Sequence, residues 1–346
     1  MGIFKRGPSV GGSEQPDDFW QWWRSTGASL TAGALARNEP TRVAERLSRA
    51  VHAVHPELSW ELAAGDVTEH VLVVTAGGHP DLRAIARRWL LAAPPADETW
   101  SYTDHRPPAA DPESMRLSSG PGSEIDFAEM QVTARLSGIR FDTVVHHPSF
   151  AVLPSEARVQ AAFLALDAAL GENDVELWIG HLETAEHSLI DGFGLSALRS
   201  VVHDHQARYV DQDGGPSWAL MQGETPAGPV LASAQVPLHP VVAPHLSVHV
   251  AVMLPYRDCT PEGMPEDGSL DALRSFEDHL TGVLGKDGRI VAHQSSAGVR
   301  VLHVYVDETS DAVSRIDASA ATWVEGQAQA QAMTDPSWES VAHLRG

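Results

Sequence analysis

The stretches LSVHVAVML (residues 246–254) and VRVLHVYV (residues 299–306) alternate apolar and polar side chains, the pattern of strands with one buried face. Alternation sets Val248, Val250, Val252, Leu302 and Val304 on one face, to be covered by helices, and His249 and His303 on the other. Between them lie a helix from Leu270 to Leu284, a strand from Arg289 to His293 and a hairpin turn from Ser295 to Gly298. A helix from Ser310 to Val324 and a strand from Ala328 to Met333 follow. Leu270, Leu273, Leu280 and Val283 stripe the first helix, and Val313, Ile316, Ala320 and Trp323 the second. The order is βαββαβ, which predicts a ferredoxin-like domain in an α+β protein.

Gly288-Arg289, then Val304-Tyr305-Val306, then a helix and a closing Asp335-Pro336-Ser337-Trp338 carry a resemblance. The last third of the chain resembles an uncharacterised bacterial domain-of-unknown-function family. Some of its relatives are joined to a ribonuclease E activity regulator B domain. The resemblance implies a fold rather than an activity. The front of the chain, with its tryptophan-rich start, also resembles uncharacterised bacterial proteins.

Upstream, Phe19, Trp20, Trp22 and Trp23 open a helix running to about Arg37. Val43, Leu47, Ala50, Val51 and Val54 mark a second helix that stops before His55-Pro56, because a residue preceding proline avoids the α region. Short strands at Leu58–Leu62 and Val71–Thr75 come next, then the break Gly77-Gly78-His79-Pro80. A helix carrying Leu82, Ile85, Ala86, Trp89 and Leu90 leads to a strand at Trp100–Thr103. The order ββαβ recurs in Val132–Leu136, Ile139–His146, a helix from Pro154 to Leu170 and Val175–Ile179, with His147-Pro148 placed as His79-Pro80 is. That repetition points to an internal duplication. A helix from Leu195 to about Tyr209 ends in the turn-forming run Asp211–Pro216. The expected organisation is a disordered tail over 1–16, an N-terminal α+β domain over 17–212 and a C-terminal domain over 217–346.

A chain of 346 residues is long enough for two such cores. Its formal charge of −22 repels a phosphate backbone, which argues against direct nucleic-acid binding and suits a basic protein partner, a nuclease among them. The same acidity also serves plain solubility. Lys5 and Lys286 are the only lysines, which leaves few candidates for Schiff-base chemistry. The single Cys259 excludes an intramolecular disulfide and a cysteine-rich zinc site, and it fits a reducing compartment. No stretch has the ~20 apolar residues of a membrane span and the start lacks a signal-peptide core, so the expected location is the cytoplasm. Oligomeric state leaves no mark in the sequence.

Histidine is the residue type with the most chemical reach here. His249, His293 and His303 fall on three strands, where three imidazoles sharing the open face would suit zinc; ordinary surface histidines are the plainer account. His146, His147, His181 and Glu183 sit at adjacent strand ends, a second set with ligand chemistry. The run His181–His187 matches neither H-E-x-x-H nor H-x-x-E-H. His203-Asp204-His205 lies on one helix, where neighbours one and two apart diverge. Gly77-Gly78 lacks the companions of a phosphate loop, Cys259 stands among carboxylates that oppose a thiolate, and no G-x-S-x-G occurs. No cofactor is expected. Two functions remain: a non-enzymatic protein-binding or regulatory module, and a metal-assisted hydrolase using histidines with carboxylates.

Overall fold

The computed structural model describes residues 16–65, 67–120, 123–226 and 228–345. The expected tail therefore lies outside the described residues except for Pro16, which is the first residue of a helix. The chain forms an α+β mixture divided into two compact units, one ending at Arg106 and one beginning at Pro107.

In the first unit α1 (Pro16–Trp22) runs through a π-helical turn, Trp23–Gly27, into α2 (Ala28–Ala36). A β-carbon at Gly27 would stand 2.9 Å from the rings of Trp22 and Trp23, so the widened turn needs glycine to admit them. Helix α3 (Thr41–Val54) buries Val43, Leu47, Val51 and Val54 and stops at an extended His55, ahead of Pro56. Strands β1 (Ser59–Ala64) and β2 (His70–Thr75) pair antiparallel; α4 (Arg83–Leu91) then crosses to β3 (Trp100–Thr103), parallel to β2. Fully buried Trp20, Trp23 and Trp89 fill the core. Trp20 stacks on Trp89 at 4.6 Å and donates Nε1–H to its carbonyl, so the indoles that open the chain close this unit's core.

The second unit begins with a hairpin, β4 (Arg116–Gly120) and β5 (Ser123–Asp126). It continues with β6 (Gln131–Ser137) antiparallel to β7 (Arg140–His146). Helices α5 (Ser155–Leu170) and α6 (Glu172–Trp178) then lead to β8 (Ile179–Ala185), parallel to β7, and α7 (Leu195–Gln206) packs behind. The two three-stranded sheets share one connectivity, an antiparallel pair followed by a helical crossover to a parallel strand. One expectation is corrected. Residues 175–178 are helical, because Gly171 at φ 81° restarts the chain and Glu172 and Asp174 favour the positive end of a new helix.

The remaining elements are β9 (Ser217–Thr225), β10 (Gly228–Val236), β11 (Val248–Pro255), α8 (Asp267–Leu284), β12 (Gly288–Ser296), β13 (Val299–Val306), α9 (Ala312–Ala320) and β14 (Gln329–Thr334). They build a six-stranded antiparallel sheet in the order β14-β11-β13-β12-β10-β9. From β11 to β14 the chain follows the expected β-α-β-β-α-β order. On one face Val250, Val252, Leu254, Leu302, Val304 and Val306 pack against Leu273, Phe276, Leu280 and Leu284 of α8 and Ile316 of α9. The buried stripe of α8 thus includes Phe276 and Leu284, while Leu270 and Val283 are only half-buried at its margin. The hairpin β9–β10 extends the sheet beyond what alternation had indicated. The expected domain boundary, 213–216, falls inside the second unit, at a turn where Asp211 Oδ1 accepts from the N–H groups of Asp213 and Gly215. Two hydrophobic cores meet on either side of that turn.

Candidate functional site

The sheet face opposite the helices is not open where His249 and His303 stand. Residues after β10 and after β14 fold over it, burying Leu238, Ala243, Leu246, Trp338, Val341 and Leu344 with Tyr305. Asp335 anchors this cover: its carboxylate accepts from Tyr305 Oη at 2.7 Å and from the N–H groups of Glu339 and Ser340, each at 2.9 Å. Burial works to raise its pKa, but those hydrogen bonds outweigh burial and hold it below the usual carboxylate value. Trp338 adopts the left-handed conformation (φ 55°), stacks on Tyr305 at 4.3 Å and donates Nε1–H to the Leu246 carbonyl at 3.0 Å. The Asp-Pro-Ser-Trp run is a latch that fastens the C-terminal turn to the sheet.

Beneath the latch His249 Nε2 meets His303 Nδ1 at 3.0 Å. His303 is 5% exposed, and its Nε2 is buried with no hydrogen-bond partner among the described residues. Burial, then the neighbouring His249, His343 and His293, push His303 down to about 4, so it is neutral near pH 7. His293 does not join them. The hairpin turn has two residues, Ala297 and Gly298, so His293 pairs with Leu302 and shares the helix-covered face with it, while Ala292 pairs with His303. Trp218 lies 6.1 Å from His293 between ring centres, and burial, then Arg300, lowers His293 to about 4. The structure brings two of the three strand histidines together and sends the third to the other side.

The second set is spread along β7 and β8. His146 is buried, with Nδ1 3.0 Å from the Ala185 carbonyl. The register pairs Thr143 with Leu182 and His146 with Ala185, which sets His181 about 13 Å back along the sheet at ~3.3 Å per residue. His181 and Glu183 are exposed and pair with each other at 3.1 Å. His147 turns away from both: its Nδ1 accepts from the Ser149 N–H, opening the turn that Pro148 begins, and its Nε2 lies 3.6 Å from Glu129. His239-Pro240 uses the same device, with Val241 N–H as donor. In such His-Pro steps the imidazole stands in for the Ser or Asp of an N-cap. His205 is buried and bonded to the Ile139 carbonyl, His203 is exposed, and Gly77 and Gly78 form a left-handed turn. Among the described residues no group of three or more His, Cys, Asp or Glu is placed to hold a metal ion.

The feature that sequence reasoning missed is the sheet edge. β9 is the terminal strand, nine residues long, paired among the described residues only with β10 and in unbroken register from Ser217 to Thr225. Trp218 and Leu220 project from one face, 44% and 68% exposed. Against its other face lies a groove of about 510 Å³, lined by Met221, Gly223, Val230, Val299 and Val301 and closed by His343 and Leu344. Two nine-residue runs around Pro226 and Gly228 were the available hairpin signal. Small residues in Ala232-Ser233-Ala234 and Pro229 disguised the second run as loop.

Residues 233–342 match the model of a family of unknown function, DUF695. The matched segment runs from within β10 to the turn behind Trp338, so it takes in the latch and both histidines beneath it, and leaves β9 outside. Searches of curated proteins and of solved structures each returned no match.

Proposed function

We propose that the protein is a non-enzymatic, cytoplasmic protein-binding module, regulatory in character, that docks a basic protein partner on the β9 edge of its C-terminal sheet. That sheet, in strand order 4-1-3-2 from β11 to β14, is then a ferredoxin-like module enlarged by the β9–β10 hairpin. The observation that carries the proposal is the uncapped edge itself. Proteins ordinarily guard such edges with lysine, proline, a bulge or a covering loop, because unpaired backbone groups recruit another strand. β9 has no lysine, proline or bulge, and it displays Trp218 and Leu220 beside unpaired backbone. An added strand would satisfy that backbone while its alternate side chains meet Trp218 and Leu220. Glu224 on the strand, Asp211 and Asp213 before it and the overall −22 favour basic residues in that strand.

The test is affinity capture by the purified protein from native lysate at about 0.05 M and about 0.5 M salt, beside the double variant Trp218→Ser/Leu220→Lys. A basic protein held by the wild type, released by salt and not held by the variant supports the proposal. Equal capture by both forms, or capture indifferent to salt, contradicts it. A metal-assisted hydrolase is the second reading, favoured only by the His181–Glu183 pair. Stoichiometric metal in protein purified without chelator, lost in Glu183→Gln, would advance it.

A further inference from the structure

Where the two cores of the second unit meet, the structure leaves a partly enclosed cavity of about 400 Å³. That volume falls in the range of small-ligand pockets, roughly 300–1,000 Å³. Apolar side chains face it from both sides, Ile139 and Leu177 from the half around β6–β8 and Ala219, Val236 and Leu238 from the half around the six-stranded sheet, with Tyr209 and His239 among its polar members. Two arginines line it as well.

Neither arginine has all of its N–H groups bonded among the described residues. Arg140 bonds through Nη2 to the carbonyls of Glu176 and Ile179, its Nε is buried without a hydrogen-bond partner among the described residues, and the Glu176 and Asp142 carboxylates lie close enough to favour its charge. Arg345 bonds through Nη2 to the carbonyls of Ser337 and Trp338, its Nε is likewise unpartnered, and its closest carboxylate, Glu339, stands at 3.9 Å. Glu339 favours the charge of Arg345 in the same way, but none of these carboxylates takes up the free Nε–H of either guanidinium. Two such N–H groups on one largely apolar cavity are donors held ready for an anionic acceptor. A partly desolvated guanidinium recognises a carboxylate in bidentate fashion better than any other common anion-binding side chain.

We infer that this cavity is a binding site for a small organic acid with an apolar body, its carboxylate directed to Arg140 and Arg345 and its hydrocarbon held between Leu177 and β9–β10. Fatty acids of medium chain length and aromatic acids share that chemistry. The site is independent of the docking edge, since Trp218 and Leu220 point to the opposite face of β9.

The experiment is calorimetric titration of the full-length chain with decanoate, 2-naphthoate, decanol and decyltrimethylammonium. An acid that binds at least about tenfold more tightly than decanol, with no binding of the cationic amphiphile, is the expected result, because a charge-assisted hydrogen bond distinguishes the acid from the alcohol. Tighter binding of decanoate or of 2-naphthoate assigns the aliphatic or the aromatic source. Arg345→Gln should weaken the acid about tenfold and leave decanol unchanged. Ala219→Phe, which fills the cavity from β9, should abolish binding of acid and alcohol alike without lowering the unfolding temperature. Arg140→Gln repeats the charge test; if loss of its carbonyl bonds unfolds the protein, Arg345→Gln and Ala219→Phe still decide. No binding of either acid at millimolar concentration, equal affinity for decanoate and decanol, or acid binding unchanged in Arg345→Gln would overturn the assignment.

Discussion

Replacing Trp338 tests the latch that closes the C-terminal sheet. The indole is fully buried, stacks on Tyr305 at 4.3 Å and donates to the Leu246 carbonyl at 3.0 Å. Truncating a buried tryptophan to alanine costs about 3–5 kcal/mol, and the abandoned carbonyl adds about 1 kcal/mol. Alanine gains nothing from the left-handed backbone at this position, which strains it as it strains tryptophan. The expected loss for Trp338→Ala is therefore about 4–6 kcal/mol, a large share of a total stability of about 5–15 kcal/mol. Trp338→Phe keeps most of the stack and loses the hydrogen bond, for about 1–3 kcal/mol. Hydrogen exchange of the amides of residues 248–255 and 335–345 reports this region apart from the first unit. Both segments should exchange much faster in the alanine variant and modestly faster in the phenylalanine variant. An alanine variant within about 1 kcal/mol of wild type, or equal losses in both, would refute the latch.

Two further predictions follow from buried charge and proton balance. His303 is held at about 4 by burial and its histidine neighbours, below the ~6.5 of an unfolded histidine, so the unfolded chain binds the extra proton between those values. The His303 contribution should be level above about pH 6.5 and cost up to about 1.4 kcal/mol per pH unit on acidification toward 4; His293, held as low, adds a like slope, so urea midpoints for His303→Gln should show a shallower but not a level dependence. Arg300, nearly buried, pairs with Glu277 of α8 at 2.9 Å and with Ser295 Oγ. Arg300→Met should cost up to about 3–5 kcal/mol by stranding the half-buried carboxylate, and adding Glu277→Leu should restore most of it, both read by urea unfolding.

The elements legible in the sequence were those whose period matched their burial. β11 and β13 alternate cleanly because α8 and α9 cover one face, and α3 shows its stripe because one side alone meets the core. The face of His293 was misjudged because it depends on the parity of a two-residue turn, a matter of one residue in the pairing register. Residues 175–178 looked like a strand because Val175, Leu177 and Trp178 are apolar in either geometry, and only the glycine break at 171 marks them as helix. The hairpin β9–β10 escaped because Trp218, Ala219, Leu220 and Met221 are apolar on both faces of β9, so the alternation of its burial has no counterpart in apolar and polar residue types. Of the candidate residues, the sequence named His249 and His303 and the Asp-Pro-Ser-Trp run, but their joint burial arises from the chain folding back after β14, a long-range contact no local spacing encodes.

The docking claim is tested most directly by hydrogen exchange on the captured complex. Binding of a basic partner should slow exchange of the β9 amides, residues 217–225, while those of the other edge strand, β14, exchange at the rate of the free protein. Protection that spares β9, or that falls on β14 instead, would contradict the account.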